Sequence, residues 1–178
     1  MKKIISLLFV VTILLTGCSL TKDDENTPTR QAEIYLDSYK NLDDNVMDDL
    51  TDLVENMESY TSDQRERYHE LMKNHYSDMK YEIKSETIDG DNATVEVEIE
   101  VLDYSNVMSL EPNMEDFLDV DGNYDEKKYY DSQLDMLESV TNHVKYTIVL
   151  DFVKEDDKWK IVEPNEIVKQ KIHGIYTY

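Results

Sequence analysis

Four histidines, one cysteine, 13 tyrosines and 40 aspartates and glutamates are the groups from which this 178-residue chain could build a site. Spacing limits each of them. His69, His75, His143 and His173 contain no pair at i, i+4, so no helix presents two imidazoles to one zinc ion. A single cysteine supplies neither a thiolate set nor a disulfide framework. His75 shares a helical face with Tyr68, Leu71 and Met79, which predicts a hydrogen-bonded packing residue, and His173 falls where an imidazole can cap a helix end. Asp119, Asp121, Asn123 and Asp125 around Gly122 carry oxygen ligands of the calcium type. With Gly122 at the sharp turn of a calcium loop, however, Phe117 takes the first ligand position and Lys128 that of the bidentate acid. The stretch reads instead as an Asp–Gly–Asn turn that opens a helix. No metal site and no cofactor is expected.

Charge narrows the partners. Forty acidic against 18 basic residues leave a formal charge of −22, which excludes a phosphate-binding face and hence a nucleic-acid partner. With four glycines there is no Gly-rich phosphate loop. The acids are uneven: eight and no base from Asp43 to Asp63, then fifteen and only Lys84 from Glu82 to Glu126. Such runs are solvated faces, or else they meet a cationic partner or divalent cations.

The elements that must position these groups change period along the chain. Thr27-Pro28 starts a helix with the stripe Ala32, Leu36 and Tyr39, beside Tyr35. Val46, Leu50, Leu53, Val54 and Met57 form a second stripe. Thr61 with Gln64 makes a capping box for a third, whose face is Tyr68, Leu71, Met72, Tyr76 and Met79. Alternation then takes over. Tyr81 and Ile83 lead to a turn at 89–92 and to Ala93, Val95, Val97, Ile99 and Val101 on one face of a strand. Ile88 has the opposite parity from Ile83, which predicts a bulge near Ser85 to Thr87. A second hairpin has Val144, Tyr146, Ile148, Leu150 and Phe152 on one face, turns at 155–157 and returns through Trp159 and Ile161, with Trp159 expected in the core. Between the hairpins, Pro112 opens a short helix through Phe117 and Leu118, and Tyr124 to Asn142 form a longer one. After Pro164 a last helix stops at Gly174. Helices followed by two antiparallel hairpins make an α+β domain with a helical insertion.

Ahead of the domain, Lys2 and Lys3 precede an apolar run from Ile4 to Thr16, too short to span a bilayer. It ends in Leu15-Thr16-Gly17-Cys18, which resembles the lipobox of bacterial lipoproteins. The resemblance implies a signal peptide over 1–17, cleavage between Gly17 and Cys18, and acyl chains such as palmitate on Cys18. The protein would then be held on the extracytoplasmic face of the cell membrane. Residues 18–28 are polar and read as a tether, with a single domain over 29–178.

The domain also resembles the nuclear-transport-factor-2-like, cystatin-like α+β cone, through Tyr76 to Ile83 running helix into strand, Asp89 to Val95 in the first hairpin and Asp157 to Val162 in the last strand. Small extracytoplasmic lipoproteins of low-GC bacteria with that fold, in families of unknown function, are similar. The cone implies inward residues Val97, Ile99, Tyr146 and Ile148, ringed by Tyr39, Tyr68 and Tyr76, which either line a pocket or fill the core. Such a pocket suits an apolar or amphipathic guest oriented by phenols. Ketosteroid isomerase shares the cone and works with an Asp base opposite a Tyr and a protonated Asp. Here no acid interrupts the inward faces 93–101 and 144–152; if the insertion carries one, Glu115, Asp116 and Asp135 are the first candidates. The expectation is a non-catalytic module at the cell envelope that binds a protein, peptide or amphipathic ligand. A cone-type small-molecule enzyme and a cation-responsive surface protein are the alternatives.

Overall fold

The computed structural model describes residues 26–177, so Gly17 and Cys18 lie outside the described residues. Within them the chain is α+β, with six α-helices and one four-stranded antiparallel sheet. Helix α1 (Pro28–Lys40) begins as predicted: the Thr27 hydroxyl accepts from the Arg30 N–H, and proline fills the first position, where no amide hydrogen is needed. Helix α2 (Asp44–Glu55) turns Val46, Leu50 and Val54 inward. Leu53, predicted on the same stripe, is 42% exposed, at the flank of a helix buried on one side. Helix α3 (Ser62–Asp78) has the reciprocal capping box. The Gln64 N–H donates to the Thr61 hydroxyl at 3.3 Å, and the Thr61 N–H donates to Gln64 Oε1 at 2.9 Å.

Strands β1 (Lys80–Asp89), β2 (Asn92–Leu102), β3 (His143–Glu155) and β4 (Lys158–Ile161) pair in chain order. Ile83 opposes Val97 and Ser85 opposes Glu96, so Lys84 is the extra residue of a bulge just ahead of the predicted stretch. The bulge resets the alternation and sets Ile88 opposite inward Ala93, although at the hairpin end Ile88 is 53% exposed. Gly90 takes the left-handed conformation of the first turn, and Asp156 and Asp157 take it in the second, where aspartate tolerates it best after glycine and asparagine. On the outer face, lysines from the flanking strands meet the glutamates of β2. Lys145 reaches Glu98 at 3.0 Å, and Lys80 reaches Glu100 at 3.3 Å. Exposed pairs of this kind add little stability, but they break up the acidic run.

The insertion leaves the end of β2 and returns to the adjacent strand β3. It holds helix α4 (Ser105–Met108), which the sequence pattern does not predict, a single 3-10 turn (Met114–Phe117) in place of the short helix expected from Pro112 through Leu118, and helix α5 (Glu126–Glu138). Helix α5 is shorter than the predicted 124–142, because Ser139 caps it and Thr141 lies beyond its end. It packs on α3. Helix α6 (Glu166–Ile172) is capped by Asn165 and stopped by Gly174. A Cβ at Gly174 would lie 2.1 Å from the Leu102 carbonyl oxygen, so this position admits only glycine on steric grounds as well as for its φ of +69°.

Two hydrophobic cores result. One joins the inner sheet face to Ala32 and Leu36 of α1 and to Val168 and Ile172 of α6. The other joins α2, α3 and α5 through Leu50, Leu71, Met72, Tyr76 and Leu137. Tyr39 packs against both.

Candidate functional site

The inner sheet face holds packed hydrocarbon. Val97, Ile99 and Ile148 are at most 1% exposed and share one core with Leu36 and Met79. Tyr146 is buried in the same core and donates its hydroxyl to the Tyr176 carbonyl at 3.0 Å. Tyr68 stands edge-on to Tyr60 at 6.3 Å in the second core. Among the described residues the buried polar side chains are Ser38, Gln64 and His75, so the carboxylates named from the sequence are not interior groups. Asp135 accepts from Arg67 at 2.7 Å, and Glu115 and Asp116 are exposed.

Tyr39 and Tyr76, by contrast, come together on the helical side. A groove of about 420 Å³ is bounded there by α1, α2, the end of α3, the segment after β4, and α6. Tyr35 and Tyr39, one turn apart, bring their hydroxyls to 3.3 Å. The Tyr39 and Tyr76 rings meet edge to face at 5.1 Å, and the Tyr76 hydroxyl lies 3.3 Å from His173 Nε2. Val46, Leu50 and Leu53 of α2 supply an apolar wall, and Asp49 and Glu163 supply carboxylates. Lys169 closes one side with its ammonium 2.6 Å from Glu163. Burial raises the Tyr35, Tyr39 and Tyr76 phenols above their usual range, so they stay protonated and can donate. Burial, followed by the Lys169 charge, pushes His173 below the usual histidine range, so its imidazole is neutral at neutral pH. The groove therefore offers neutral hydrogen-bonding groups above an aliphatic wall, alongside the Asp49 carboxylate and the Lys169–Glu163 ion pair. That combination holds and orients an amphipathic guest.

Tyr39 and Tyr76 were visible from their helical stripes. Asp49, Glu163, Lys169 and His173 were not named as lining, because nothing in the local pattern says that the C-terminal helix returns to α1 and α2. His173 occupies the C-cap position of its helix, but there its backbone N–H bonds the Lys169 and Lys171 carbonyls, and the imidazole expected to cap the end turns to Tyr76 instead.

The acidic turn has a structural role. Asp119 Oδ1 accepts from the N–H groups of Asp121 at 2.9 Å and Asn123 at 2.8 Å, and these bonds hold its carboxyl below the usual range. Among the described residues no group of three His, Cys, Asp or Glu side chains is placed to hold a metal ion. A phenol–carboxylate pair does exist, with Tyr81 donating to Asp37 at 2.8 Å. It ties β1 to α1 and does not face the groove. Comparison with protein-family models, curated proteins and solved structures finds no match to the chain.

Proposed function

We propose that the protein is a lipid-anchored binding module of the extracytoplasmic membrane face, built on a cystatin-like cone, which holds an amphipathic ligand in the tyrosine groove without turning it over. The observation that carries the binding part is the convergence of three protonated phenols and a neutral imidazole on the aliphatic wall of α2. The anchor rests on Leu15-Thr16-Gly17-Cys18. The way the chain enters the domain fits it. Asn26 donates to the Asp157 carbonyl at 3.0 Å and accepts from the Trp159 N–H at 3.1 Å, so the side-chain amide pairs with the edge of β4 as a peptide unit would. Thr29 donates from both N–H and hydroxyl to Glu86 on β1, at 2.9 and 2.8 Å. Both edge strands thus hold the start of the domain, and a pull on the tether is spread over the sheet.

Two measurements test the reading. Cys18→Ser is expected to move the protein from the membrane fraction to the soluble fraction of producing cells; unchanged partition would mean that residues 1–17 hold it without acylation. For the groove, an environment-sensitive apolar dye is expected to bind the full-length protein saturably. Leu53→Lys, which sets a charge on the groove wall, is expected to weaken it about tenfold, the equivalent of about 1.4 kcal/mol. Ile34→Lys, on the 46% exposed flank of α1, serves as the control. Equal effects of the two substitutions would remove the groove from consideration.

A further inference from the structure

A second groove, of about 660 Å³, runs between α3, α5 and the end of β2 and shares no residue with the tyrosine groove. Leu71, Leu137 and Val140 form its apolar floor. Along one wall α3 presents Asp63, Glu66 and Glu70, three exposed acids spaced by three and four residues and hence on one helical face. The other wall adds Glu138. The single basic residue of the lining, Arg67, is turned across to α5: it donates to Glu138 twice at 2.9 Å and to Asp135 at 2.7 Å. Glu70 accepts from Lys73 of its own helix at 2.8 Å. With Arg67 and Lys73 each matched to a carboxylate, Asp63 and Glu66 leave the rim anionic above a hydrocarbon floor.

We propose that this groove docks a basic amphipathic helix of a partner protein, one that lays leucine-like side chains on the floor and sets lysines or arginines against the α3 acids. Charge complementarity selects the occupant. Glu138 and Glu70 already have Arg67 and Lys73 as partners, but an anionic or neutral apolar segment would cover the Asp63 and Glu66 carboxylates without supplying a cation, which is unfavourable. A helix matches the rim because its own i, i+3, i+7 positions repeat at the spacing of Asp63, Glu66 and Glu70. On the anchor proposed above, the site also stands well clear of the membrane. Leu102 marks the end of the sheet opposite to the Asn26 contacts with the second hairpin, and an 11-residue strand, β2, separates the two ends. At about 3.4 Å per residue that is about 37 Å. The charge of −22 steers a basic partner toward the molecule before contact.

The test uses a fluorescent peptide of about 14 residues, roughly four helical turns, made of leucine and lysine at amphipathic spacing, with a leucine–glutamate analogue as counterpart. Full-length protein is expected to bind the first saturably and not the second. Glu66→Lys with Glu70→Lys is expected to weaken binding about tenfold or more. The same charge change on the outer sheet face, Glu96→Lys with Asp151→Lys, is expected to change it less than about twofold, because those sites act only through the screened field. Asn74→Trp, which fills the groove and leaves the charge unchanged, is expected to match the α3 pair. Equal losses from the two charge-reversal pairs would show that net charge alone attracts the peptide and would overturn the proposal. So would full binding by Asn74→Trp, binding of the glutamate analogue, or no saturable binding at all.

Discussion

Trp159→Ala is expected to lower stability by about 3–5 kcal/mol, the range for removing a large aromatic side chain from a packed core. Trp159 alternates with exposed Lys158 and Lys160 on β4, so its indole points to the opposite face of the sheet. There it is only 9% exposed and packs in the core shared by α1 and the inner strands. The Lys154 ammonium lies 5.9 Å from the centre of its ring. Removing the indole would strip both contacts and leave a cavity next to an edge strand, beside the point where Asn26 fastens the chain. For a domain of this size each kcal/mol moves the unfolding midpoint by about 2–4 °C, so a fall of about 6–20 °C is expected. As the only tryptophan, it also reports on itself. The native emission should be blue-shifted and should move red on unfolding. A midpoint within about 2 °C of the parent protein, or a solvent-like native emission, would contradict the packing described.

The second large effect depends on pH and comes from His75. Its Nε2 donates to the Ile172 carbonyl at 2.8 Å, because a carbonyl can only accept, and this fixes the neutral tautomer. Nδ1 is then a buried acceptor with no hydrogen-bond partner among the described residues. Protonating it would place a cation among the Tyr76 and Tyr104 rings, beside His173 and His143, with Asp78 as the acid acting in its favour. Burial is the main reason that the group is pushed down to about 4, and the Ile172 bond opposes it only in part. The sign follows from proton uptake. The unfolded chain binds a proton near pH 6.5, whereas the folded one does so only near 4. Stability is therefore flat above the unfolded value and falls as pH drops from about 6.5 toward 4, by up to about 3 kcal/mol from this residue alone. His173, also lowered, acts in the same direction. Chemical denaturation of the parent protein and of His75→Phe at intervals between pH 7.5 and 4.5 separates this from general carboxylate titration, which the two share. Their difference is expected to shrink or invert on acidification. Parallel profiles would mean that His75 accepts a proton in the folded state.

How much was legible depends on the range over which each signal acts. The Thr27 cap, the Thr61–Gln64 box, the alternation of 93–101 and 144–152 and the left-handed turns are decided by residues within one or two turns of each other. They can be read from a window of sequence for that reason. The bulge at Lys84 was legible because a change of side-chain parity between Ile83 and Ile88 has a single local remedy. Leu53 shows the limit of a stripe, since periodicity finds the centre of a buried face but not its edge. The insertion was legible as helical and mis-measured in length, because acidic and tyrosine-rich turns carry weak stop signals.

The Leu15-Thr16-Gly17-Cys18 motif, the antiparallel α+β plan and the inward set of each strand are properties of the sequence by itself. Tertiary structure decided which of the apolar faces closed on each other. The inner sheet face was filled from α1 and α6 rather than left hollow, so the tyrosines predicted to ring one pocket were divided between two cores and a groove. Tyr76 and His173 lie 97 residues apart along the chain, and their 3.3 Å approach depends on α6 folding back to Gly174, whose missing side chain admits the Leu102 carbonyl. Contacts across such separations follow from which packing buries the most surface with the fewest unpaired groups, a comparison among whole arrangements that no local window contains.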